Sequence, residues 1–142
     1  MHDSRARWVV LLSCFFSLGV SEAPFIGAER CQLCHRSIYA LWKATPHSRA
    51  SASLDIENET PSCLPCHATG PANLPGVQCE ACHGAGGYYW PAEIMIDAAK
   101  GREAGLVTPD EGTCRRCHGS GLPGHADRFE MPQGAERRLT VH

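Results

Sequence analysis

Apolar residues along this chain fall into one continuous run near the start and then into short, interrupted segments. Trp8 to Val20 is an uncharged, largely apolar stretch of 13 residues, preceded by Arg5 and Arg7 and followed by Ser21-Glu22-Ala23. A positive start, an apolar stretch of this length and small residues at the end read as an export signal cut after Ala23. Thirteen residues are too few to cross a bilayer comfortably, which takes about 20. Pro24 is awkward directly after a cut, so cleavage a few residues earlier is an alternative. Leu11-Leu12-Ser13-Cys14 faintly resembles a lipoprotein signal, and an uncleaved anchor is the other minority reading. The chain therefore divides into a leader, 1–23, and a single domain, 24–142. Its expected location is the bacterial periplasm, with membrane attachment only if the leader is retained or lipidated.

Three later segments carry a helical pattern. From Arg36 to Ala44, Ile38, Leu41 and Trp42 fall on one face, and Pro46 limits the helix. Pro91 at a start and Gly101 past an end bracket a second helix. Residues 132–141 read as a short last helix leading to His142.

Length and charge narrow the function. The 142 residues suit one small domain. Thirteen Lys and Arg against 15 Asp and Glu give a formal charge of -2, which points away from nucleic acid as a partner. The pairs Arg115-Arg116 and Arg137-Arg138 read as solvated surface.

Cysteine changes the picture most. Apart from Cys14 in the leader, the cysteines are Cys31, Cys34, Cys63, Cys66, Cys79, Cys82, Cys114 and Cys117. All fall in CxxC pairs, and a histidine follows every pair: His35, His67, His83 and His118. The spacing C-x-x-C-H is the attachment signature of c-type heme. Cysteines three apart lie on one side of a helical turn. They reach two vinyl groups on one porphyrin edge, and the adjacent imidazole takes the iron as proximal ligand. Four motifs imply four covalently attached hemes c.

Two other uses of these cysteines compete. The third and fourth pairs continue as His-Gly-Ala-Gly and His-Gly-Ser-Gly, and the second ends on the last of those glycines. That resembles the CxxCxGxG zinc repeats of J-domain co-chaperones, and two four-thiolate zinc sites would use all eight sulfurs. The first pair, however, continues as His-Arg-Ser-Ile, and such a zinc domain does not need a histidine after each pair. Exported thiols also tend to oxidise, whereas thioether bonds remove the free thiol. A four-disulfide framework leaves the four histidines unexplained.

Four hemes on 119 residues leave about thirty residues per group, and a chain this short builds a thin core alone. The expected fold is mainly α with extensive loop, wrapped around the hemes, with little or no β-sheet. Motifs two and three lie 16 residues apart, against 32 and 35 for the other intervals, which makes two and three the expected neighbours.

Candidates for the second axial face of each iron are His47, His125, His142 and Met95, with Met131 a weaker one. If the stretch from His35 is helical, His47 lies roughly 18 Å further along the axis. It then cannot serve its own motif's heme and must reach another. His142 ends the chain and His125 follows a flexible Gly-Leu-Pro-Gly loop. Met95 in a helix is ordinary core filler or a ligand that raises a heme's potential. Three histidines for four faces leave at least one heme with Met, another ligand or an open position.

The order of these segments resembles the tetraheme cytochrome c-554 family. The matching stretches are Pro24 to His35, Trp42 to Ala50 (Trp-Lys-Ala-Thr-Pro-His-Ser-Arg-Ala), Cys63 to Gly70 and Gly76 to Gly86, completed by the fourth CxxCH. The resemblance implies a mostly helical, heme-packed electron carrier of the periplasm. It implies that His47 is a distal ligand to a heme other than its own motif's, and it favours His142 as another. One departure stands out: where many relatives place a ligand histidine soon after the third motif's Gly-x-Gly, this chain has Gly87-Tyr88-Tyr89-Trp90.

The expected function is electron transfer between redox partner proteins, a carrier rather than an enzyme. All four motifs end in His, and no acid/base pair marks a catalytic heme. The alternatives are redox chemistry on a small nitrogen or sulfur compound at a five-coordinate heme, and the zinc-binding interaction module.

Overall fold

The structure is a computed structural model that describes residues 24–54, 62–71 and 74–119. The leader, His125, Met131, His142 and the helix expected over 132–141 lie outside the described residues.

Short helices dominate. They are α1 (Ala28–Gln32), α2 (Arg36–Ala44), α3 (Leu64–His67), α4 (Cys79–His83), α5 (Ala92–Met95), α6 (Ala98–Glu103) and α7 (Glu111–Arg115), with 3-10 segments at Pro46–Ser53 and Gly86–Tyr88. The only sheet among the described residues pairs β1 (Ala68–Thr69) antiparallel with β2 (Leu74–Pro75), Ala68 opposite Pro75 and Thr69 opposite Leu74. A mainly helical, loop-rich fold with almost no sheet is what the sequence predicts.

α2 spans the residues expected of it. It ends because Pro46 forces its predecessor out of the helical region: Thr45 is extended at φ -82°, ψ 162°. Trp42 is buried, and its indole N–H donates to the Val77 carbonyl at 2.8 Å. That bond ties α2 to the approach to the third CxxCH.

The helix expected from Pro91 to Gly101 is instead two. Asp97 caps α6, its carboxylate accepting from Ala99 and Lys100 N–H at 2.9 and 3.3 Å. A carboxylate that satisfies the orphan amides of a new first turn competes with continuation of the old helix. Gly101 lies inside α6 and is buried, facing Leu106. The chain turns instead at Gly105, where φ is +101°.

The polypeptide's own core is thin. Among the described residues the buried apolar side chains are Ala28, Trp42, Ala68 and Tyr89. Beside them lies a buried polar network. The Thr69 hydroxyl donates to Gly76 O and accepts from Gln78 N, both at 2.8 Å. The Gln78 side chain accepts from Ala28 N at 2.7 Å and donates to Pro75 O at 3.0 Å. The Glu80 carboxylate, 2% exposed, accepts from Ile26 N, Gly27 N and Gly86 N at 2.9, 2.8 and 2.6 Å. Every group finds a partner, as buried polar atoms must. Together these bonds lash the segment before α1 to α4.

Candidate cofactor-binding site

Each CxxCH folds as one helical turn. The histidine amide bonds the carbonyl of the first cysteine in motif one (His35 to Cys31, 2.9 Å), motif two (His67 to Cys63, 3.2 Å) and motif four (His118 to Cys114, 2.9 Å), and motif three is α4 itself. The turn puts both sulfurs of a pair on one side. α7 is held for this task by a capping box: Asp110 accepts from Thr113 N at 2.8 Å, and the Thr113 hydroxyl accepts from Asp110 N at 3.3 Å. The Thr113 amide, with its hydroxyl second, holds the Asp110 carboxyl below its ordinary value.

Two motif histidines are visibly oriented. Nδ1 of His67 lies 2.9 Å from Ala50 O, and Nδ1 of His83 lies 3.0 Å from Val107 O. A carbonyl only accepts, so each Nδ1 carries the proton and Nε2 is left as the metal-binding nitrogen. This is the orientation that ligating histidines take from their surroundings.

The sulfurs bring motifs together in two pairs. The Cys31 and Cys79 thiols meet, which lowers Cys31 and, with burial second, pushes Cys79 up. The Cys66 thiol lies 3.8 Å from Arg116 O and the Cys117 thiol 3.9 Å from Pro65 O. Burial first and Cys66 second push Cys117 up to about 12. Motif one thus faces three, and two faces four, whereas sequence spacing made two and three the expected neighbours. Arg116 also donates to Ala81 O at 2.7 Å, joining motif four to motif three.

Of the distal candidates, His47 and Met95 are described. The His47 ring centre lies 5.9 Å from that of His118, with the planes at 67°. Two imidazoles on one metal, each with a bond of about 2 Å and a ring centre about 1 Å beyond the nitrogen, stand about 6 Å apart. Met95 closes α5 and is half-buried. Tyr89, in the segment after motif three, is buried, and its hydroxyl donates to Gly84 O at 2.6 Å. Burial, with Glu80 second, pushes its phenol up.

The residues fit covalent heme. The eight cysteines are free thiols. What the chain offers is four Cys-pair turns, imidazoles aimed by their Nδ1 bonds, and a core too thin to stand alone.

Those features are what a multiheme c-type cytochrome requires of its chain. Residues 30–84 match the family described as cytochrome c554 and c-prime. Cytochrome c-554 of Nitrosomonas europaea is 30% identical over 95 residues, covering 46% of this chain; the match spans only 40% of that relative's length. The solved reduced cytochrome c554 of the same organism has a similar fold, with a TM-score of 0.54 and 23% identity over 78% of this chain and 74% of that one. Part of the chain is thus similar to the cytochrome c554 family, and this similarity supports covalently bound c-type heme.

Sequence reasoning missed Thr69, Gln78 and Glu80, which hold motif three against the segment before motif one. Only Glu80 left a trace, as an acidic residue in the first turn of α4, where the helix dipole favours it.

Proposed function

We propose that this chain is a periplasmic electron-transfer protein with four covalently attached hemes, passing electrons between redox partner proteins. When bound, each heme supplies an iron that takes up or releases one electron. The chain's residues do the rest. The eight cysteines anchor the groups, and His35, His67, His83 and His118 hold the irons from one face. Ala50 and Val107 keep two of those imidazoles oriented. His47 supplies the opposite face of the motif-four site.

The observation that carries this reading is the pairing of His47 with His118, ring centres 5.9 Å apart across 71 residues of chain. Two imidazoles at this separation suit one six-coordinate iron, the arrangement of an electron carrier. The pairing of motif one with three and of two with four supports short transfer distances. The periplasmic location rests on the leader. Among the described residues no helix is long and apolar enough to cross a membrane. The test is an optical spectrum of the exported protein with heme-to-protein stoichiometry. Four hemes per chain with a dominant low-spin spectrum support the proposal. A colourless protein, or one carrying zinc, overturns it.

A further inference from the structure

Glu80 is the only buried carboxylate among the described residues, and neither anchoring nor axial ligation uses it. It stands between the two cysteines of motif three, and its oxygens accept N–H bonds from Ile26, Gly27 and Gly86. Gly27 links it to motif one, since the Cys31 thiol lies 3.8 Å from the Gly27 carbonyl while Glu80 holds the Gly27 amide at 2.8 Å. Both oxygens accept, so the place is built for an acceptor-only group, which is the ionised carboxylate. Among the described residues, motifs two and four have no buried carboxylate beside them. Arg116 lies inside motif four and reaches across to Ala81 O of motif three, so this cation sits between the two pairs, whereas the buried anion is held at motifs one and three.

Resting on the four-heme reading, we propose that Glu80 is a fixed internal anion that lowers the reduction potentials of the groups carried by motifs one and three relative to those carried by two and four. An iron porphyrin is more positive when oxidised, so a nearby fixed anion favours the oxidised form. Inside a protein that preference is weakly screened. Electrons therefore collect first at the motif-two and motif-four end, and the motif-one and motif-three pair fills last. The buried carboxylate gives the two ends unequal standing.

The test is a redox titration of the heme-loaded protein, followed by a method that resolves individual hemes and assigns them to motifs, on wild type, Glu80→Gln and Glu80→Asp. Removing the charge should raise the reduced-to-oxidised ratio of hemes one and three by on the order of tenfold at fixed potential, about 59 mV for a one-electron couple. Hemes two and four should move far less. Glu80→Asp keeps the charge and should leave the potentials close to wild type, whereas a purely structural role makes both variants shift alike. If Glu80→Gln does not mature with heme, the wild-type order decides: hemes one and three reduce last. Unshifted potentials in heme-loaded Glu80→Gln, or hemes one and three reducing first in wild type, overturn the proposal. A mature chain without heme would instead sink the functional reading beneath it.

Discussion

Gly76→Ala should cost far more stability than its backbone conformation explains, and it should disturb His47, the distal ligand proposed for the motif-four heme. Gly76 has φ +81°, where an L side chain is strained by about 1–2 kcal/mol. A Cβ there would also stand 2.7 Å from Ser48 O and 3.0 Å from His47 O. Both are backbone atoms, and the neighbouring Val77 N–H is bonded to that same His47 carbonyl at 2.9 Å. The 3-10 segment must move, which costs about 1–3 kcal/mol more by analogy with overpacked cores. Gly105 supplies the control: its φ is +101°, yet nothing lies within 4 Å of an added Cβ. Gly105→Ala should therefore lose only about 1–2 kcal/mol, and Gly76→Ala about 2–5 kcal/mol. Urea unfolding of the heme-loaded proteins, followed by circular dichroism, measures the difference. The heme spectrum gives a second readout: Gly76→Ala should gain a high-spin component as His47 is displaced, and Gly105→Ala should not. Equal stability losses, or an unchanged spectrum in Gly76→Ala, would refute the link between this turn and the ligand.

On the four-heme proposal, removing the proposed ligand with His47→Ala should convert one heme from low-spin to high-spin and let it bind cyanide or nitric oxide; a spectrum identical to wild type removes His47 from the coordination sphere. Tyr89 has a phenol pushed up chiefly by burial, so its neutral form is favoured in the folded state. Its stabilising contribution is complete below the ordinary tyrosine value of about 10 and declines as pH rises above it. Tyr89→Phe should flatten that alkaline decline while losing about 1 kcal/mol at neutral pH for the bond to Gly84 O, both read by unfolding against pH. Asp110 has a carboxyl lowered chiefly by the Thr113 amide, so its contribution is present above the ordinary aspartate range and is lost as pH falls through the folded value. Asp110→Asn should weaken that acid dependence and leave α7 capped; an unchanged acid limb would show that the cap does not report on stability.

Much of the site was legible in the sequence because covalent heme attachment is a local pattern. Two cysteines and a histidine within five residues announce themselves wherever the chain later runs. The helix over 36–44 was legible for a similar reason, with a periodic apolar face and a proline to end it. Asp97 defeated the second helix, because an aspartate that caps a new turn looks from sequence like any polar residue on an exposed face. Motif pairing was out of reach. The hairpin of β1 and β2 and the bend at Gly76 fold the chain between motifs two and three, so short sequence separation does not decide which sulfurs meet. The burial of Thr69, Gln78 and Glu80 left almost no trace, since a polar residue becomes a core residue only when distant backbone amides arrive to satisfy it.

The central claim is best tested by intact mass of the purified, mature protein after denaturation, which strips anything not covalently bound. Four heme groups retained on a chain lacking its leader is the predicted result. A mass equal to the bare polypeptide would contradict the account outright.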